Sequence, residues 1–397
     1  MAIRVLTLST LFPDLTRPNF GVFVERQTRE LASRPKVDVT VIAPVGIPPW
    51  PLSRLASHAP LLAVPQVEQW RDLTVYRPRF MAIPKLGGMS HVRLMTRAIW
   101  PLVKQLHREQ PFDVIDASFF FPDGPVAMKI ARRLGIPFSV KARGADIHHW
   151  GRQASTRRAV RKAGQAAAGL LAVSEAMKRS MVALGMDADK INVHYTGVDL
   201  ERFCPQDKAA ARQRLNLEHV SGPILLSVGA LIHRKGQSLV LEALTHFPDA
   251  YLLLVGAGPD RTSLQNRAHM LGVAERVGFL GAVPHQNLPD IYNAADAMVL
   301  PSASEGLANA WVEALACGVP IVICDVGGAR ELLNDERAGR LVERTAAAVA
   351  EGLSQVLAQP ADRAAISRIT GRFTWKTNGD ALVAHLSDIV TAAAARR

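Results

Sequence analysis

The sequence predicts an α/β protein built from two doubly wound parallel-sheet domains, and three observations carry that prediction. Short continuous apolar runs, of the kind buried on both faces of a parallel sheet, alternate with helical stretches. The alternation starts again near residue 223, so it occurs twice. A length of 397 residues suits two domains with full cores.

In chain order, residues 3 to 8 (IRVLTL) read as a first strand, followed by a loop containing Gly21 and a helix through ERQTRELASR. DVTVIAP, FDVIDAS, PFSVKARG and GLLAVS supply further strands, separated by helical stretches such as GPVAMKIARRLG. The second series opens with PILLSV and passes through YLLLVGAGPD, a strand ending in a glycine turn. Gly256 and Gly258 either let a nucleotide approach the backbone closely or simply make a tight turn, since a lone G-x-G fits many folds. VGFLGAVPHQNLPDIYNAAD repeats the strand-turn-helix pattern, and AMVLP forms the next buried strand.

Pro301, Ser302, Ser304 and Gly306 break AMVLP into a loop. Ligands collect at such carboxyl ends of parallel strands. Leu307 to Leu315 contains no Gly or Pro and stops at Cys317-Gly318, which predicts a helix starting near residue 307. Its unpaired N–H groups would face the loop and attract phosphate. Glu305 then lies in the loop beside whatever binds, and Glu313, inside the helix, is placed to accept hydrogen bonds from neutral hydroxyls such as those of a ribose.

These residues, EGLANAWVEALACGVPIV, resemble the E-x7-E segment of the retaining glycosyltransferases of family 4, and the resemblance runs over nearly the whole chain. It implies the GT-B fold, with two Rossmann-like domains facing a cleft and a C-terminal helix crossing back. The linker NVHYTGVDLERFCPQ resembles the family's N-G-V-D-x-x-x-F segment and places the hinge at about residues 203 to 206. The domains expected are 1–203, joined by 374–397, and 204–373. Residue by residue, the resemblance implies that Glu313 binds the donor ribose and that Glu305 lies close to the donor sugar and its phosphate. The amides of Gly306, Leu307 and Ala308 are implied as contacts to sugar and diphosphate, Val283 as a contact to the base, and the Gly21 loop as an approach to the donor diphosphate and the acceptor.

SVGALIHRKGQSL resembles the family's G-R-x4-K-G loop, with Gly229 and Gly236 at its ends and Lys235 as the diphosphate-binding lysine. A fixed cation there would stabilise a departing diphosphate. Taken alone, Arg234 and Lys235 also read as solvated loop charges. Ala230 stands where the family has Arg, and Arg234 is the neighbouring charge available to replace it. In the segment KARGADIHHW, Arg143 stands where many family members have a sugar-contacting His. Arg143 with Asp146 reads equally as an acceptor-binding pair or a structural ion pair. Asp123, in FFFPDG, resembles a cleft-facing family segment and equally reads as a helix cap.

The resemblance implies a retaining hexosyl transfer from a nucleotide sugar to a glycan or lipid-linked saccharide, in polysaccharide or glycolipid biosynthesis. No paired nucleophile and acid are assigned, so it implies front-side displacement with the leaving diphosphate accepting the acceptor's proton. No cofactor is expected, the nucleotide sugar being a co-substrate, and no metal, since the implied front-side scheme requires none and no Cys/His cluster of ligand spacing occurs in the sequence. Two other readings compete. One is a catalytically silent GT-B subunit that binds a partner, supported by Ala230 and Arg143. The other is a nicotinamide enzyme, disfavoured because the first strand lacks G-x-G-x-x-G.

Charge is uneven. Residues 1 to 200 hold 28 Lys+Arg against 15 Asp+Glu, a balance of +13, and residues 201 to 397 hold 19 against 20, a balance of −1. This asymmetry points to an anionic partner for the first domain, a membrane surface or a lipid diphosphate. Arg152, Arg157, Arg158, Arg161 and Lys162 form either a basic interfacial helix, with shallow insertion of its Ala and Val face, or an ordinary solvated one. Nucleic acid is not expected, because no aromatic-rich basic patch or known motif appears. With no eighteen-residue apolar stretch, no signal peptide and three cysteines lacking a disulfide framework, the expected location is the reducing cytoplasm, with peripheral attachment to its membrane face as an option.

Overall fold

The computed structural model describes residues 2–55, 58–83 and 88–395, the side chains of 88 and 89 excepted. The chain divides into two compact units, Met1–Gly197 with Trp375–Arg397, and Val198–Thr374. The division falls at 197/198, ahead of the 203 to 206 hinge read from the linker.

The first unit runs β1 (Ile3–Leu8), α1 (Val22–Ala32), β2 (Val37–Ile42), β3 (Val45–Ile47), β4 (Val67–Trp70), β5 (Leu73–Tyr76), β6 (Arg79–Met81), α2 (Gly88–Glu109), β7 (Val114–Ala117), α3 (Asp123–Leu134), β8 (Phe138–Ala142), α4 (Ala154–Ala166), β9 (Gly169–Ala172), α5 (Glu175–Ala183) and β10 (Ile191–Val193). Its sheet has the order β10-β9-β8-β7-β1-β2-β5-β4, parallel except for the antiparallel β4–β5 pair. β3 and β6 form a separate two-stranded parallel ladder. Every residue of β7, β8 and β9 is buried, the signature of strands covered on both faces.

The second unit continues with α6 (Lys208–Arg214), β11 (Ile224–Val228), α7 (Gln237–Leu244), β12 (Tyr251–Val255), α8 (Arg261–Met270), β13 (Val277–Gly281), α9 (Leu288–Ala294), β14 (Ala297–Leu300), α10 (Asn309–Ala316), β15 (Ile321–Cys324), α11 (Ala329–Leu332), β16 (Gly339–Val342), α12 (Ala346–Leu357) and α13 (Arg363–Arg368). Its all-parallel sheet has the order β13-β12-β11-β14-β15-β16. Counted from the first strand of the unit, that is 3-2-1-4-5-6, the doubly wound order whose direction reverses between β11 and β14. The loops leaving those two strands therefore diverge around a crevice, and they are the two loops that carry Lys235 and Glu305.

The last helix, α14 (Trp375–Ala394), belongs to the first unit. Leu382, Leu386 and Ile389 pack with Val5, Leu31, Val114 and Leu171. A buried polar seam adds direction to this packing: Ser139 Oγ lies 2.7 Å from His385 Nε2, and Asn192 Nδ2 lies 3.2 Å from His385 Nδ1. The Asn192 Nδ2 group can only donate, so Nδ1 accepts and Nε2–H donates to Ser139. Burial holds the His385 imidazole down at about 4. Gly169 makes room for that ring, because a Cβ there would lie 2.6 Å from it.

Candidate active site

Lys235 sits in the turn between β11 and α7, and its position is fixed by glycines. Gly236 has φ +77°, and a Cβ there would lie 2.4 Å from the Pro301 carbonyl, so the turn packs directly on the loop after β14. The two loops are further joined by Ala303 N–H donating to Arg234 O at 2.8 Å. Arg344 spans them as well, giving Nη2 to His233 O at 2.9 Å and Nε to Pro301 O at 3.1 Å.

This stitching brings the Lys235 ammonium to 2.5 Å from Glu305 Oε1. The Arg234 guanidinium reaches the same oxygen at 3.6 Å and donates to Ser304 O. Both cations therefore converge on the loop acid, and Arg234 is directed inward although Ala230 itself is exposed. One ammonium has three N–H donors. Among the described residues Glu305 is the hydrogen-bond partner of Lys235, so donors remain for an incoming anion. Gly229 lies against the lysine stem, with a notional Cβ at 3.6 Å from Lys235 Cε.

Gly256 and Gly258 close the neighbouring wall. At Gly256, φ is +139° and a Cβ would lie 1.9 Å from the Gly229 carbonyl; at Gly258 it would lie 2.1 Å from the Leu231 carbonyl. Both positions exclude any side chain. Leu231 N–H donates to Ala257 O at 3.0 Å and Asp260 N–H to Leu231 O at 3.1 Å, lacing the loops after β11 and β12 together. Both glycines allow a backbone-on-backbone approach within the protein itself.

α10 begins at Asn309, two residues later than the sequence suggested, with Ala308 as its cap and no side-chain capping hydrogen bond. Leu307 and Ala308 are buried, and Gly328 N–H donates to Gly306 O at 2.7 Å. Gly327, at φ +56°, would place a Cβ 2.4 Å from the Glu305 carbonyl. The acidic loop is thus held from both sides.

Glu313 is buried within α10 and already partnered. His285 Nε2 lies 2.8 Å from Oε1, and Tyr292 Oη donates to Oε2 at 3.0 Å. A carboxylate only accepts, so His285 carries its proton on Nε2. Burial, reinforced by the adjacent Glu313 charge, pushes the Tyr292 phenol well above its usual range, so it remains a donor. Phe203 packs on both rings, 5.1 Å from that of His285 and 6.0 Å from that of Tyr292. Two carboxylate lone-pair positions stay available, enough for the two hydroxyls of a ribose. His285, Tyr292 and Arg344 were not singled out by the sequence, and Phe203 entered it only as the Phe of the linker motif. His285 and Tyr292 occur within VPHQNLPDIY, where their seven-residue spacing carries no signature of a shared acid. Val283 is half-buried in the loop between β13 and α9.

In the first unit the switch lies between β1 and β7, and the predicted residues gather there. Gly21, at φ +69°, opens α1 where a Cβ would lie 2.5 Å from Leu11 O. Asp123 is the first residue of α3 and accepts from Thr10 N–H at 2.9 Å, bridging the two loops. This is not a cap on its own helix. Its second oxygen has no hydrogen-bond partner, and burial raises the carboxyl to about 7. Asp146 accepts backbone N–H groups from Phe120 (3.1 Å), Arg143 (3.0 Å), Gly144 (2.7 Å) and Ile147 (3.2 Å), so its carboxylate organises the π-helical turn Asp146–Trp150. The Arg143 side chain turns elsewhere: Nε donates to Ser118 O at 2.7 Å, Nη2 to Gln27 at 3.3 Å, and the guanidinium lies 5.0 Å from the Phe23 ring. Burial lowers its pKa to about 10. The envisaged pair is joined through the Arg143 backbone N–H and not through its guanidinium.

α4 corrects another expectation. Thr156, Ala159, Val160, Ala163 and Gly164 are buried in the unit, and Gly164 lies so close to Met186 that a Cβ would stand 2.7 Å from its sulfur. Its small apolar face is therefore spent on the core. Arg157, Arg158, Arg161 and Lys162 are exposed, so the helix offers charge without insertion. No helix among the described residues is long and apolar enough to cross a membrane. The three cysteines are free thiols, and no cluster of three or more His, Cys, Asp or Glu side chains among the described residues is arranged to hold a metal.

Comparison with known proteins places this geometry. The family model "Glycosyltransferase Family 4" matches residues 21–202, and "Glycosyl transferases group 1" matches residues 209–372. The putative teichuronic acid biosynthesis glycosyltransferase TuaC of Bacillus subtilis is 30% identical over 362 residues, covering 89% of each chain. A GDP-mannose-dependent α-(1-6)-phosphatidylinositol monomannoside mannosyltransferase of Mycolicibacterium smegmatis is 30% identical over 82% of this chain and 92% of its own. Among solved structures, sucrose-phosphate synthase of Thermosynechococcus elongatus superposes with a TM-score of 0.82 at 21% identity, covering 98% of this chain and all of the other. HepE of Anabaena, solved in complex with UDP, gives 0.74 at 20% identity over 97% of this chain and 100% of its own. These two likenesses show the GT-B fold. With both halves matched by their family models and a full-length relative at this identity, the chain belongs to the group 1, family 4 glycosyltransferases.

Proposed function

We propose that this glycosyltransferase moves a hexosyl group, with retention, from a nucleotide sugar to a glycan or lipid-linked saccharide. The observation that carries the reading is the convergence of Lys235 and Arg234 on Glu305 at the sheet's switch point, with the partnered acid Glu313 on the helix that follows. In this scheme the donor diphosphate meets the Lys235 ammonium and the amides of Gly306, Leu307, Ala308 and the α10 N-terminus. The ribose hydroxyls donate to Glu313, whose rotamer His285 and Tyr292 fix. Gly229, Gly256 and Gly258 shape the wall beside the donor, and Val283 lies toward the base.

The reaction proposed is front-side displacement. The bond from the anomeric carbon to the diphosphate oxygen breaks, the acceptor oxygen bonds to the same face, and the acceptor's proton passes to the departing diphosphate. Lys235 and Arg234 hold the charge that develops, and Glu305 positions them. The scheme assigns the electrostatic work to side chains and amides, so neither metal nor cofactor is required. The acceptor side is assigned to the first unit, where the Gly21 loop, Arg143 and Asp123 surround the β1/β7 switch and Asp146 supports them from behind. The donor candidates are UDP-glucose, UDP-GlcNAc and GDP-mannose. Two of these have support: one relative is named as GDP-mannose-dependent, and HepE, which shares the fold, has been solved with UDP-glucose. A silent partner-binding subunit finds no support in a site that retains Lys235, Glu305 and Glu313.

The deciding experiment is a donor screen in chelator-containing buffer, reading thermal shift and slow hydrolysis of each nucleotide sugar without acceptor. One donor should stabilise the protein and be hydrolysed slowly. Absence of binding by all three, or dependence on added divalent cation, would sink the proposal.

A further inference from the structure

A cluster of apolar side chains in the first unit is turned to solvent. Trp50 is 75% exposed, Leu55 53%, Met81 48%, Leu52 41% and Leu62 40%. They lie on the excursion after β2, where 3-10 turns Leu52–Arg54 and Ala59–Ala63 pack on one another and the second packs on β3. The placement is ordered. In β6 the inward residue is Phe80 and the outward one Met81, while Ser53, Val45 and Val64 are buried beneath. Arg79 Nη2 donates to Leu62 O at 2.8 Å and Val64 O at 3.1 Å, fixing the second turn. Prolines 48, 49, 51 and 60 stiffen the strip, which lowers the cost of ordering it against a partner.

Charge identifies the partner. Residues 39 to 108 contain nine Lys+Arg and only two Asp+Glu. Both acids are neutralised, Glu68 by Arg77 and Asp72 by Arg29 at 3.0 Å. An exposed Trp and leucines on a basic stretch of chain match a bilayer with anionic headgroups, where indole settles at the interface and Arg meets phosphate. The excursion leaves the carboxyl edge of the sheet: Ala43 N–H bonds Tyr76 O, Val45 N–H bonds Pro78 O, and Arg77 Nη2 donates to Pro13 O in the loop after β1. That is the edge to which the acceptor was assigned above.

We propose that residues 50–55, Leu62 and Met81 form a docking surface for an anionic phospholipid bilayer, seating a lipid-linked acceptor beside the β1/β7 loops. The acceptor's being lipid-linked rests on the function proposed above; vesicle binding does not.

The test uses the full chain and sedimenting vesicles of phosphatidylcholine, with or without phosphatidylglycerol. The native chain should partition onto the anionic vesicles. Combined Trp50→Ser and Leu55→Ser should lower that partition by roughly tenfold or more, two interfacial side chains being lost, while donor hydrolysis in solution and molecular mass stay unchanged. Equal partition of variant and native chains, or no partition of either, overturns the surface. So does a native dimer that the substitutions dissociate, since the patch would then serve a second copy. Vesicle binding without donor hydrolysis would keep the surface and remove only the enzymatic scheme.

Discussion

Lys235→Ala is the perturbation that bears hardest on the proposed chemistry. Lys235 and Glu305 are 2.5 Å apart, with side chains 13% and 9% exposed, so the pair is shielded from bulk water. Placed about 4 Å from a developing phosphate charge, one ammonium contributes roughly 4 kcal/mol at an effective dielectric constant near 20. Loss of one fixed donor in oxyanion sites costs about 3–4 kcal/mol, or about 10²- to 10³-fold in kcat. Arg234, 3.6 Å from the same carboxylate and more exposed, would make up part of this. Turnover should therefore fall by about 10²-fold, with a smaller change in donor binding. The assay is single-turnover donor hydrolysis at saturating nucleotide sugar, with the melting temperature followed in parallel because Glu305 would lose its close partner. Lys235→Arg should restore part of the rate. A variant that keeps its fold and turns over within about threefold of native would refute the role given to the ammonium.

Further outcomes follow from the same site. Glu313→Ala should weaken donor binding by at least tenfold, read by calorimetric titration with the nucleotide diphosphate, because two hydroxyl bonds to a charged acceptor are lost. His285→Ala should raise the donor KM several-fold and leave kcat nearly unchanged, since His285 orients Glu313 through a 2.8 Å bond and does not meet the reacting atoms in the scheme; a drop in kcat alone would contradict it. In the first unit, Asp116 is buried with one oxygen unpaired, and burial raises its carboxyl from 3.8 to about 6. The native state thus binds more protons than the unfolded chain between those values, and stability attributable to this group is present below pH 3.8 and lost as pH rises through about 6. Asp116→Asn should flatten that slope and stabilise the protein at pH 8 by about 1–3 kcal/mol, measured by urea unfolding across pH. An unchanged slope would show that the burial cost lies elsewhere.

The doubly wound architecture was legible because its strands are continuous apolar runs: IVIC, AMVL and VIDA are buried throughout, and nothing in them alternates. The region from Val45 to Met81 was not legible for the opposite reason. Its strands are three or four residues long and half exposed, so neither length nor period separates them from loop. The Lys235–Glu305 pair could be anticipated only through the family resemblance, because a separation of 70 positions in the chain is bridged by strand order. His285 and Tyr292 show the limit of motif reading. Their service to Glu313 follows from the return of the chain to the same crevice, and no local pattern announces it. α4 failed differently: its Ala and Val stripe is the same whether it faces lipid or its own core, and Met186, which decides the matter, lies twenty-two residues beyond Gly164.

The measurement that tests the central claim most directly is a crystal structure with an intact or fluorinated nucleotide sugar bound. It should show the diphosphate on Lys235 and the start of α10, and the ribose hydroxyls on Glu313 with His285 and Tyr292 still in place. A donor lodged away from the β11/β14 crevice, or one bound there without touching Lys235 or Glu313, would contradict the account.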